Sequence, residues 1–224
     1  MNQFQYHVDI VVVMDATASM TPVLDAVKSA ALGFHERLSA SLEAKGKWVD
    51  QLRIRVIAFR DLAYNGSHSL EASPFFLLPQ EESEFAEWIR AVRLVGNHTH
   101  TESALAGLSV GLHSPWTSLG DRRRHVVVLW TDEDAHLPEV ESAHVPPLFA
   151  DQVVGSFDDL TDLWHSSQTT SASSRRLVLF APDKGVWPQV EESWDNVVWF
   201  PSQAGMGMAD YDWSTVMDSI ANSV

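Results

Sequence analysis

The 224-residue chain contains no cysteine. That excludes a disulfide framework, thiolate metal sites and a cysteine nucleophile. Basic residues are scarce: 15 Lys and Arg stand against 30 Asp and Glu, a formal net charge of -15 at pH 7. Gripping a phosphate backbone needs a basic face, so nucleic acid is not an expected partner. No stretch approaches the ~18 uninterrupted apolar residues of a membrane-spanning helix. The polar start MNQFQYH and the short apolar run Val8–Met14 do not resemble a signal peptide. The expectation is a cytoplasmic chain without a membrane partner. Phosphate loops are missing too. Neither G-x-G-x-x-G nor G-x-x-x-x-G-K-[ST] follows the first apolar run, and no G-x-S-x-G elbow occurs.

What is present suits a packed core. Hydrophobic residues make up 45% and charged residues 20%, too apolar a mixture for a disordered chain. The acidity is concentrated late: residues 125–224 hold 3 Lys/Arg and 16 Asp/Glu. β-Branched runs at Val8–Met14, Gln51–Arg60 and His125–Trp130 read as strands, the first and last of them buried on both faces. Pro74–Leu78, Arg175–Ala181 and Val197–Pro201 read as further strands, Pro74–Leu78 at an edge. Between them lie helical patterns. Thr21-Pro22 opens one, with Thr21 as N-cap and the stripe Leu24, Val27, Ala31, Phe34, Leu38 on one face. Ser83–Arg93, Glu102–His113, Phe157–His165 (capped by Ser156) and Asp210–Asn222 follow. Arg122-Arg123-Arg124 reads as a solvated connection. The nine Trp are mostly core candidates; Trp116, Trp187 and Trp194 sit in looser contexts, where a protein interface is the alternative. Six strands alternating with helices predict an α/β fold, a doubly wound, mostly parallel six-stranded sheet flanked by helices, in one domain over residues 1–224.

In such sheets ligands gather at the C-terminal ends of strands. After the first strand comes Asp15-Ala16-Thr17-Ala18-Ser19, and after HVVVLW comes Thr131-Asp132-Glu133-Asp134-Ala135-His136. One carboxylate and two hydroxyls at i, i+2 and i+4 can converge from a tight loop, and Thr99 and Asp132 could close the cluster. An all-oxygen set with few charges suits Mg2+, Mn2+ or Ca2+. Asp15 alone could merely favour a helix N-terminus. Asp61, after the second strand, is either a strand-end residue bonding backbone or a support for the metal. Glu102 is placed at a helix N-terminus. His98, His100 and His136 lack zinc spacing and read as a rim.

D-x-[ST]-x-S after the first strand, a Thr in a Gly-led loop and Thr-Asp after HVVVLW together resemble the von Willebrand factor A (vWA) domain over about residues 7–222. The resemblance implies a vWA/Rossmann-like fold with a metal-ion-dependent adhesion site made by Asp15, Thr17, Ser19, Thr99 and Asp132. Phe59-Arg60-Asp61, Thr101–Leu108, Trp116 and the Ala135-His136 pair are similar to vWA domains associated with atypical α-kinases and their bacterial cytoplasmic relatives. That branch usually carries Asp where Thr99 stands; Thr99-His100-Thr101 is closer to the integrin type. The expected function is a metal-dependent protein-binding module that takes an Asp or Glu side chain of a protein partner at the ion, with Glu133 and Asp134 adding negative charge beside it. The alternative is a metal-dependent hydrolase or phosphotransferase using the same acidic site, with Glu133, Asp134 or His136 as base or nucleophile.

Overall fold

The computed structural model describes residues 4–96, 101–166, 170–202 and 213–224. In chain order these are β1 (Tyr6–Asp15), α1 (Thr21–Ala30), α2 (Phe34–Ala44), β2 (Gln51–Phe59), α3 (Leu62–Asn65), β3 (Leu70–Ala72), β4 (Phe76–Leu78), α4 (Glu82–Ala91) and β5 (Thr101–Glu102). There follow α5 (Ala104–Leu112), β6 (Arg122–Trp130), β7 (Asp134–Ala135), α6 (Pro138–Glu141), α7 (Phe157–Ser166), β8 (Arg175–Pro182), α8 (Trp187–Ser193), β9 (Val197–Ser202) and α9 (Trp213–Ser223). The main sheet runs β3-β2-β1-β6-β8-β9, with β4 also on β2. The β2-β1-β6-β8-β9 ladder is parallel, while β3 and β4 add to β2 antiparallel. The chain moves from β1 outward to β2, then returns to place β6 on the other side of β1. The strand order therefore reverses between β1 and β6, which is where a doubly wound sheet opens a crevice.

Parallel strands covered on both faces read as continuous apolar runs, and β1 shows why. Val8, Ile10, Val12 and Met14 pack into one core with residues of α1, α2, α4 and α9. Val11 and Val13 pack into a second core with residues of α5, α7 and α8. Helix α5 is buried along its whole length. It lies so close to the sheet that a Cβ on Gly107 would stand 2.9 Å from Phe59 Cδ1 and 3.1 Å from Val13 Cγ1.

Several sequence expectations shift. The stripe Leu24, Val27, Ala31, Phe34, Leu38 is buried as expected, but two helices carry it, because Gly33 adopts φ 84° and breaks the run. Thr21 does not cap α1. A 3-10 turn at Ala18–Met20 runs straight into the helix, and the Thr21 hydroxyl donates to the Ala18 carbonyl at 2.6 Å. Arg122–Arg124 are no connection: they extend β6 and pair with Tyr6–Val8. Trp116, Trp187 and Trp194 are core residues, all buried. The short strand β3 escaped the sequence reading, whereas Ser156 does cap α7, accepting from the Asp159 N–H at 3.0 Å.

Candidate metal centre

The C-terminal ends of β1 and β6, at the reversal of strand order, carry Asp15 and Asp132. Both are fully buried. Asp15 ends β1, and the chain turns sharply behind it. Asp15 Oδ1 accepts the Thr17 backbone N–H at 2.8 Å and the Thr17 hydroxyl at 2.6 Å. Its Oδ2 accepts the Thr131 hydroxyl at 3.1 Å. Thr17 Oγ1 lies 3.2 Å from Ser19 Oγ, and Ser19 Oγ donates to Asp132 Oδ1 at 3.0 Å. Four of the five expected ligand residues thus form one hydrogen-bonded chain, Asp15–Thr17–Ser19–Asp132, across two strands. Ser19 is exposed, so the cluster opens to solvent on its side. Thr99, the fifth, lies outside the described residues, as do His98 and His100. The segments on either side of that stretch are held at the cluster's edge: Val95 pairs with Thr17, and Thr101 pairs with Asp134 through β5 and β7.

Burial pushes the Asp15 carboxyl up to about 7, despite hydrogen bonds from Thr17 and Thr131 that favour its charged form; the neighbouring Asp132 raises it further. Two buried carboxylates with hydroxyl oxygens between them are an all-oxygen donor set that fits a hard divalent ion. Among the described residues no group of three or more His, Asp or Glu is placed to hold a metal. Any ion here would therefore depend on hydroxyl oxygens as much as on carboxylates.

The surrounding acids are occupied elsewhere. Glu133 Oε2 pairs with Lys184 Nζ at 2.6 Å, and its carbonyl accepts Trp187 Nε1–H at 3.0 Å. Asp134 Oδ1 accepts the N–H groups of Ala135 (2.8 Å) and Val186 (3.1 Å). It lies against Gly185, which has φ 60° and no room for a Cβ. Asp61 caps α3 through the N–H groups of Ala63 (2.8 Å) and Tyr64 (3.3 Å), and its Oδ2 is 3.6 Å from His136 Nε2. Glu102 is not in a helix. It is a buried residue of β5, two positions before α5 begins, and its carbonyl accepts the His136 N–H at 2.9 Å. Three participants had no role in the sequence reading. Thr131 stood there only as part of the Thr-Asp pair after HVVVLW, and Lys184 carries no motif of its own. Glu141 is buried, and one of its oxygens accepts the Ser103 hydroxyl.

No protein-family model matches the chain, and no curated protein matches it. Solved structures do. The pilus adhesin SpaC from Lactobacillus rhamnosus GG, in its open conformation, aligns over 99% of this chain and 30% of its own, with TM-score 0.52 and 12% identity. The fold is vWA/Rossmann-like. The vWF domain of the type V pili tip protein Mfa5 from Porphyromonas gingivalis aligns over 61% of this chain and 40% of its own, at TM-score 0.34 and 20% identity. Proximal thread matrix protein 1 from the mussel byssus aligns over 97% and 45%, at TM-score 0.44 and 13% identity. This chain spans less than half the length of each of these neighbours.

Proposed function

We propose that this vWA-like chain is a divalent-cation-dependent, adhesion-type module that binds a protein partner through an Asp or Glu side chain. The observation that carries the reading is the continuous Asp15–Thr17–Ser19–Asp132 set at the strand-order reversal, with both carboxylates buried and Ser19 open to solvent. These four residues would hold Mg2+, Mn2+ or Ca2+, joined by Thr99 as the resemblance implies. The bound ion supplies a Lewis-acidic point for a partner carboxylate. Thr131 orients Asp15 through the 3.1 Å bond to its Oδ2, and Thr17 does the same from the other oxygen. Lys184 neutralises Glu133, which lowers the repulsion an incoming acid would meet. SpaC, a pilus adhesin, is the neighbour that supports an adhesive role for this fold.

Calorimetric titration of chelator-treated protein with MnCl2 or MgCl2 should show one site, absent in Asp15→Ala. Proteins captured from a native lysate by the immobilised wild-type chain should be released by chelator and missed by Asp132→Ala. Equal metal binding by Asp15→Ala, or equal capture with and without chelator, would overturn the reading.

A further inference from the structure

One well-formed cavity lies away from the acidic cluster. It lies at the opposite, N-terminal ends of β1 and β2, enclosed by α2, the loop before β2, and β4 with the turn after it, and measures about 480 Å3. That volume suits a small ligand. Leu42, Leu52 and Leu78 supply an apolar floor. The polar part is unusual in kind. Three glutamines, Gln5, Gln51 and Gln80, converge on it from three separate segments, and none of their side-chain amides is bonded to another described residue. Ser39 and His35, one turn apart on α2, add a hydroxyl and an imidazole 3.4 Å from each other. Asp50 contributes the single carboxylate of the lining, and one of its oxygens already accepts the Tyr6 N–H at 2.7 Å. No Lys or Arg lines the cavity.

This chemistry selects among ligand classes. Without a Lys or Arg in the wall, a phosphate or carboxylate ligand would meet Asp50 with no permanent counter-charge beside it, only the imidazoles of His7 and His35. A wholly apolar ligand would strand the three amides, each of which has two donors and an acceptor to satisfy. A neutral molecule dense in hydroxyls satisfies both requirements, because a planar amide can donate to one hydroxyl and accept from its neighbour, while a carboxylate accepts from both. Trp48 directly precedes the lining residues Val49 and Asp50, and it is 73% exposed, unlike the buried Trp116, Trp130, Trp164, Trp187 and Trp194. Trp48 itself is outside the lining, but as an exposed indole next to it in the chain it offers an apolar face on which the C–H face of a bound sugar can pack. We propose that this cavity is a saccharide site, taking a mono- or disaccharide independently of metal, at the end of the sheet opposite the acidic cluster.

The test is saturation-transfer difference NMR of the full chain with glucose, galactose, mannose and N-acetylglucosamine, each at millimolar concentration, and with citrate and methyl phosphate as anionic controls. At least one sugar should show transfer, with its Kd raised tenfold or more in Gln51→Leu and in Gln80→Leu. Trp48→Phe should remove any sugar-induced fluorescence change, and circular dichroism should show all three variants folded. Chelator should change nothing, so the outcome is separate from that of the metal centre. Absence of transfer from every sugar, transfer from the anions instead, or undiminished binding in folded Gln51→Leu and Gln80→Leu would overturn the assignment.

Discussion

At the scale of single residues, the molecule concentrates its acidic strain near the ends of β1, β2 and β6, and Glu141 is the clearest instance. Its carboxyl is buried, bonded to the Ser103 hydroxyl, and pushed up from 4.5 to about 8 by that burial, with Asp61 nearby raising it further. The folded state therefore holds a proton that the unfolded chain has released, between pH 4.5 and about 8. Stability falls as pH rises through that window, and at pH 7 the penalty is roughly 3 kcal/mol. Glu141→Gln keeps an acceptor for Ser103 and removes the ionisation. Its thermal midpoint should exceed that of wild type at pH 8 and converge with it near pH 4.5. A variant no more stable at pH 8 would mean that Glu141 is charged in the fold. Asp61 and Thr131 illustrate a different lesson. Their positions after strands were plain, but their partners, the α3 backbone for one and Asp15 Oδ2 for the other, became visible only in three dimensions.

At the scale of elements, the packing of α5 on the sheet decides how precisely the β1 and β2 ends are set. Replacing Gly107 by Ala would gain helix propensity worth about 1 kcal/mol. Against that, the new methyl would sit 2.9 Å from the Phe59 ring and 3.1 Å from Val13. Phe59 is completely buried and cannot swing aside, and overpacking of this kind costs about 1–3 kcal/mol. The clash should win or at best cancel, so Gly107→Ala is expected to lower the urea unfolding midpoint and, through Phe59, to disturb Arg60 and Asp61. A raised midpoint would show that the ring yields. Arg60 itself ties the loop after β2 to its surroundings: it is buried, donates to the carbonyls of His68 and Arg93, and pairs with Glu71 at 2.9 Å.

Across the whole molecule, the two ends of the parallel sheet carry opposite chemistry. The C-terminal ends hold the buried carboxylates Asp15 and Asp132, bonded to the hydroxyls of Thr17, Thr131 and Ser19. Toward the N-terminal ends a carboxylate is fully compensated: Asp9 accepts Arg53 through Nε at 2.8 Å and Nη2 at 2.6 Å, and the Thr117 N–H at 2.6 Å. Arg53 in turn lies 4.4 Å over the Phe75 ring. Arg53→Met would leave Asp9 buried with one donor, at a cost of about 3 kcal/mol, read as a Tm lower by roughly 6–12 °C. The double variant with Asp9→Asn should recover part of the loss, since the stranded charge goes with it. If Arg53→Met melts with wild type, the pair is merely tolerated.

The sequence by itself determined the alternation of strands and helices, the parallel core strands, and the two segments that supply Asp15, Thr17, Ser19 and Asp132. These are local properties: apolar periodicity, β-branched runs and the residues just past a strand. Continuity was less legible. The Leu24–Leu38 stripe ran unbroken although Gly33 divides it, and charge hid the pairing of Arg122–Arg124 with β1. Only the tertiary structure decided which carboxylates stay exposed to one another and which are neutralised. Glu133 and Asp134 sit next to Asp132 in sequence, yet Lys184 and the Ala135 and Val186 amides take them up from β7 and the β8–α8 connection. The cavity below β1 and β2 was equally out of reach, because Gln5, Gln51 and Gln80 meet only once the sheet brings their segments together. Electrostatic and hydrogen-bond partners are chosen by distance in space, and linear order does not encode that distance.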